Sequence, residues 1–197
     1  MFARKGGVLR SKIMVGALVA AGALAVGGCS DTTEGSPQSE GQGQVTSQAQ
    51  TVSFNPCDEA DLPPDALSSA GLDPATKNTS INPPTGDTAW RICDWRAVDS
   101  PVAVGVAAST LSQDALATNP SVTGFEDVTI NGRAGMTYVP ADGAHGLRCY
   151  VSIPGMGSGM FNVIVDWPYS KRDQATEKPP CATAVRYAEA LEPHLPK

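Results

Sequence analysis

Phe125-Glu126-Asp127-Val128-Thr129-Ile130-Asn131-Gly132-Arg133-Ala134-Gly135-Met136-Thr137-Tyr138-Val139 carries the strongest short-range fold signal in the chain. Two strand-like runs face each other across Asn131-Gly132. Both central positions of a type I′ turn need positive φ, which Asn and Gly tolerate, so the stretch predicts an antiparallel hairpin. Upstream, residues 90–96 mix aromatic and β-branched residues with polar ones. Val102, Val104 and Val106 then alternate with Ala103, Gly105 and Ala107 beyond a turn at Asp99-Ser100-Pro101. Downstream, residues 147–153 and 160–167 form another pair around Pro154-Gly155-Met156-Gly157-Ser158-Gly159. Six strands with mostly short connections imply a mainly antiparallel sheet.

Helical spacing appears at both ends of this sheet. Leu62, Ala66, Leu67 and Ala70 recur behind Asp58, Glu59 and Asp61, whose carboxylates would face the positive end of a helix dipole. Gly71 reads as the stop, and residues 73–87 read as loop. A short helix is expected around residues 111–117. Ala184, Val185, Ala188, Leu191 and Leu195 follow Pro179-Pro180-Cys181 at intervals of three or four, an amphipathic helix that Pro193 cuts near its end. The expected fold class is α+β: a mainly antiparallel sheet of about six strands flanked by an N-terminal and a C-terminal helix, with two disulfides.

The beginning of the chain carries an address. Arg4, Lys5, Arg10 and Lys12 precede an apolar run from Ile13 to Val26, and Val26-Gly27-Gly28-Cys29 has the form of a lipobox, the signal for acylating a cysteine and cutting before it. Residues 1–28 therefore read as a lipoprotein signal peptide and Cys29 as the lipidation site, carrying palmitate or a related acyl chain. A plain secretory cut after Ala23-Leu24-Ala25 would instead leave Cys29 a free thiol. Residues 29–52 are rich in Ser, Gln, Gly and Thr and read as a disordered tether with a reach of roughly 25 Å. Residues 53–197 are left as one extracytoplasmic domain. Four of the 14 basic residues lie in the leader, so ten face 20 Asp and Glu beyond it, a net charge of 10 − 20 = −10. That balance argues against nucleic acid as a partner. The expected location is the extracytoplasmic face of the cell membrane, held through the lipid anchor.

Five cysteines are an odd number for an exported chain, and acylating Cys29 leaves four. Four cysteines allow three pairings. Cys57 and Cys181 each follow a proline at the mouth of an expected helix, and Cys93 and Cys149 each lie inside an expected strand. The economical solution joins Cys57 to Cys93 and Cys149 to Cys181, tying each terminal helix to the sheet. No C-x-x-C spacing occurs and only His145 and His194 are present, so neither a metal site nor a redox pair is expected.

Several of these residues together resemble the actinobacterial lipoproteins grouped as domain-of-unknown-function family 3558. The likeness rests on Phe54-Asn55-Pro56-Cys57 after a polar tether, Cys93-Asp94-Trp95, Asn131-Gly132-Arg133-Ala134-Gly135, Cys149 in a later strand, and Cys181 opening a helix that finishes near Leu195-Pro196. The resemblance implies a membrane-tethered domain of a Gram-positive-type envelope and the same cysteine pairs. It brings no catalytic residues.

Candidate chemistry is sparse. The loop at 154–159 lacks the first glycine of G-x-S-x-G, having Met156 there, and sits between strands instead of leading into a helix. Ser158, His145 and Asp142 could be drawn as a hydrolase triad, but nothing in their spacing brings them together. No catalytic residue, metal ligand or cofactor is therefore assigned. Asn78-Thr79-Ser80 matches a glycosylation acceptor that means little in a bacterial lipoprotein. Trp90, Trp95 and Trp167 could line a pocket, and are read as core. Ala103, Gly105, Ala107, Ala134 and Gly135 make parts of the sheet small-faced, which we read as a surface for close helix packing. The expected function is a non-enzymatic binding or accessory module of the envelope, with an unidentified envelope protein as partner. The alternative is a carrier or sensor of a small apolar ligand or lipid in a cavity between sheet and helix.

Overall fold

Alternating side chains over the middle of the chain become seven strands in the computed structural model, which describes residues 52–80, 89–177 and 179–197. In chain order the elements are α1 (Pro64–Ser69), β1 (Leu72–Asn78), β2 (Trp90–Ala97), β3 (Ala103–Ser109), α2 (Gln113–Ala117), β4 (Val122–Ile130), β5 (Arg133–Pro140), β6 (Arg148–Pro154), β7 (Met160–Asp166), α3 (Arg172–Glu177) and α4 (Pro180–Leu191). The leader, Cys29 and nearly all of the tether lie outside the described residues.

All seven strands belong to one antiparallel sheet in the order β1-β2-β3-β7-β6-β5-β4. Each of the three hairpins read from the sequence is present. At the tip of β4–β5, Asn131 has φ 48° and Gly132 φ 86°, the pair of positive values that the type I′ turn needs. Because β3 pairs with β7 while β4 lies at the far edge, the link from β3 to β4 must pass over β7, β6 and β5. It does so through α2, where Gln113 Nε2 donates to the Ser152 carbonyl at 3.2 Å.

The seventh strand corrects the loop expected at 73–87. β1 pairs with β2 through Leu72↔Ala97, Asp73↔Arg96 and Asn78↔Asp94, with a register shift between. It is an edge strand, and Leu72 is its one fully buried residue, so no alternation marks it. Pro74 is tolerated because an edge strand can leave one N–H side unpaired. α1 is also shorter than expected. It starts at Pro64, so Asp58, Glu59 and Asp61 precede it and only Asp65 lies in its first turn. α3 has no counterpart in the expected elements.

Helices α1 and α4 cover one face of the sheet. Cys93, Trp95, Val104, Val106, Cys149, Val151, Val163 and Val165 all point to that side and are buried with Leu62, Leu67, Ala184, Tyr187, Ala188 and Leu191. Burying each Val or Leu contributes about 1.5–3 kcal/mol, so this layer is the main source of stability. Cys57 is bonded to Cys93 and Cys149 to Cys181, with Cα separations of 5.3 and 5.0 Å. The second bridge fixes the first turn of α4 to β6. The first holds the segment before α1, and not the helix itself, against β2.

Candidate functional site

The opposite face of the sheet is built from the alternate positions of the same strands. Cross-strand register lays it out in rows. One row runs Ile92, Ala107, Asn162, Ser152; the next runs Asp94, Gly105, Ile164, Tyr150; a third runs Arg96, Ala103, Asp166, Arg148. The β3 column thus reads Ala103, Gly105, Ala107, with almost no side chain, between taller columns on β2 and β7. The result is a trough. A Cβ added at Gly105 would touch Ile164 at 3.3 Å, so even one carbon begins to fill it.

This trough is the floor of a concavity of about 760 Å³, lined also by Trp90, Leu116, Val122 and Tyr138. That size lies within the usual range of small-molecule sites. α2 closes one end, where Leu116 packs with Tyr138 and Met160. The far end is charged and wetter. There Arg148 forms an ion pair with Asp166, both side chains 39 % exposed, and Asp94 Oδ2 accepts from Asn78 Nδ2 at 2.9 Å. Burial raises the Asp94 carboxyl against the opposing effects of Asn78 and Arg96, and the Asp166 charge adds to the rise. Its bond to Asp166 holds the Arg148 guanidinium above its usual value.

Aromatic rings form one wall. Tyr138 stacks on Tyr150 with ring centroids 4.6 Å apart and planes 8° from parallel, and Phe125 stacks on Tyr138 from the other side at 5.6 Å. Burial, and then the neighbouring Tyr150, push the Tyr138 phenol well up, so it remains a donor. Its hydroxyl donates to Asn162 Oδ1 at 3.1 Å. Asn162 is 1 % exposed, and its Nδ2 has no hydrogen-bond partner within the protein. An orphaned amide donor of this kind costs about 1–3 kcal/mol.

Of the residues singled out from the sequence, Trp90, Ala103, Gly105 and Ala107 meet at this concavity. The small residues of β3 therefore do not serve helix packing, as expected, but form a floor on the face away from α4. Trp95 and Trp167 are core. Gly135 is small for another reason: a Cβ there would come within 2.5 Å of the Ser152 carbonyl oxygen. Asp142 and Ser158 lie beyond opposite ends of β6, a strand of seven residues and so roughly 20 Å long, too far apart for a triad. The His145 side chain lies outside the described residues. Among the described residues no three His, Cys, Asp or Glu side chains are grouped to hold a metal. Sequence reasoning missed Asp94, Tyr138, Arg148, Tyr150, Asn162 and Asp166. For all but Tyr138 the signal was parity: each lies on the opposite face of its strand from a buried cysteine or valine.

Fold and site define an α+β domain whose antiparallel sheet has a helix-packed face and a ligand-sized trough on the other. Residues 24–194 match the family described as protein of unknown function (DUF3558), and the chain belongs to that family. No curated protein and no solved structure matches it.

Proposed function

We propose that this protein is an exported, lipid-anchored carrier or sensor that holds a small, largely apolar ligand in the trough over β3. The observation that carries the reading is the 760 Å³ concavity with its floor of Ala103, Gly105 and Ala107. Larger side chains on this column would close the concavity, since even a Cβ at Gly105 would meet Ile164 at 3.3 Å. The lining supplies aromatic surface, a few polar groups and one ion pair, which is binding chemistry. Anchoring rests on the basic leader, the apolar run and Cys29, and on a cysteine count that leaves two pairs once Cys29 is modified. No helix among the described residues is long and apolar enough to cross a membrane, so the lipid would supply the attachment.

Two measurements test the two halves. Nile red should bind the purified protein saturably with a blue-shifted emission. The Ala103→Leu variant, which fills the trough without touching the core, should weaken that binding at least tenfold while melting within about 2 °C of the parent. Unchanged binding in the variant would place the dye elsewhere and defeat the reading of the site. In an actinobacterial host, labelled palmitate should follow the protein into the membrane fraction, and Cys29→Ser should abolish both label and membrane retention. Retention of label by Cys29→Ser would refute the anchor.

A further inference from the structure

We infer that the end of the sheet where β3 stops and β6 turns into β7 rests on the lipid bilayer, with Leu111 and Met156 seated in its interfacial layer. The inference rests on the proposed anchor at Cys29, and adds which surface of the domain that anchor presents to the lipid.

The placement argument comes from where the chain enters the domain. Val52, Phe54 and Met156 line a cleft of about 340 Å³ together with Met160 and Phe161, so the segment arriving from Cys29 joins the domain here. Register fixes which end of the sheet this is. Ser109 pairs with Met160, and Met160 with Pro154, so Leu111 just past β3 and Met156 just past β6 leave the sheet together. Only residues 30–51 separate Cys29 from Val52, and a polar coil of that length spans roughly 25 Å. A domain over residues 53–197 is roughly 35–40 Å across. The entry end is therefore held nearer the lipid than the opposite one.

The chemical argument comes from charge. Beyond residue 28 the chain carries a net charge of 10 − 20 = −10, yet residues 41–57, 100–113 and 149–165 contain no Asp, Glu, Lys or Arg. These three runs supply the residues that line the cleft. Leu111 and Met156 are exposed, and neither carries a charged neighbour in its run into a layer where desolvating one is costly. Val98 and Tyr169 are more exposed still, but they leave the other end of the sheet. There Asp99 adjoins Val98, and the Arg172 guanidinium lies 5.0 Å from the centre of the Tyr169 ring. Two side chains alone would hold a protein to a bilayer only weakly. The anchor raises their local concentration to the order of millimolar, so a weak contact is populated.

The test uses the lipidated full chain, reconstituted into phosphatidylcholine vesicles with and without brominated acyl chains, which quench a tryptophan that reaches the interface. Met156→Trp and Val98→Trp place a probe at an exposed position on either end. Each is read against the parent, whose Trp90, Trp95 and Trp167 set the background. Quenching of the added fluorescence should be at least threefold greater for Met156→Trp. It should persist in 1 M salt, since no charge holds the contact, and adding Leu111→Glu should at least halve it. Equal quenching at both positions, more at Val98, none at either while the protein stays on the vesicles, or quenching that Leu111→Glu leaves unchanged overturns the inference and leaves the anchor standing. Protein that carries no palmitate and does not stay on the vesicles overturns the anchor reading and this inference with it.

Discussion

Replacing Cys149 and Cys181 together by alanine should lower the melting temperature by roughly 10–15 °C. The bridge closes a loop of 32 residues, and constraining the unfolded chain to that extent contributes about 4 kcal/mol. For a domain of this size each kcal/mol is worth roughly 3–4 °C. Geometry adds to the chain-entropy effect. Cys149 is fully buried in β6, and Cys181 sits in the first turn of α4, the helix that covers β6 and β7 with Ala184, Ala188 and Leu191. Cutting the bridge frees the start of that helix while its far end stays packed, so the variant should fray from residue 180 inward. Hydrogen exchange of the α4 amides reports this directly: those near Ala182 should speed up more than those near Leu191. A melting temperature within about 3 °C of the parent would show that packing alone secures the helix. Removing the Cys57–Cys93 pair, which closes 36 residues, should cost a similar amount but leave α4 exchange unchanged, because that bridge holds the other end of the core.

The cysteines also explain why so much of the fold could be read before the structure. Within β2 and β6, Cys93 and Cys149 point toward the helices, so residues 95, 151 and 153 must share that face and residues 92, 94, 148 and 150 the other. Parity could therefore have assigned both faces of two strands, a signal the sequence reading left unused. For β3 and β7 no such marker exists, and β3 alternates Val with Ala or Gly, a pattern that packs plausibly on either side. The small column was read as a helix seat because close approach needs small residues. The physics favoured the opposite choice: the core gains more by burying Val104, Val106, Val163 and Val165, and the small column was left to form the trough. Asn162 stayed hidden for the same reason, since a single polar residue between Phe161 and Val163 is ordinary alternation until the register shows what stands beside it. β1 escaped because an edge strand with a proline and one buried residue carries neither period nor composition.

Replacing Glu192 by leucine should destabilise the domain about as much as losing a bridge, by about 3 kcal/mol, because it breaks a buried charge cluster from one side only. Glu192 is 1 % exposed. Arg133 Nη1 donates to Oε1 at 3.1 Å, Lys197 Nζ to the same oxygen at 2.5 Å, and Asn131 Nδ2 to Oε2 at 3.3 Å. Asn131 and Arg133 flank Gly132 at the tip of the β4–β5 hairpin, while Glu192 follows α4 directly. The cluster therefore pins the far end of the helix whose first turn the Cys149–Cys181 bridge holds. Burial pushes the Glu192 carboxyl up, but the donors from Lys197, Arg133 and Asn131 outweigh it and hold the group below the usual carboxylate range. The sign of the pH effect follows. A carboxyl whose folded value is depressed contributes fully above its unfolded value, and the contribution is lost as pH falls through the folded value. Acidification from neutrality should therefore lower the parent's stability through and below the ordinary carboxylate range. Glu192→Gln keeps the shape and one acceptor oxygen but not the charge, so it should start less stable at pH 7 and lose less on acidification, the two curves converging in acid. Parallel curves in urea denaturation at several pH values would show that the charge contributes nothing and that the cluster acts by shape alone. Because bridge and cluster hold opposite ends of one helix, the two losses should not add. With the bridge gone, removing Glu192 should free α4 as a unit, exposing the β6 and β7 residues beneath it, Val151, Val163 and Val165 among them, so the combined cost should exceed the sum of the two single ones.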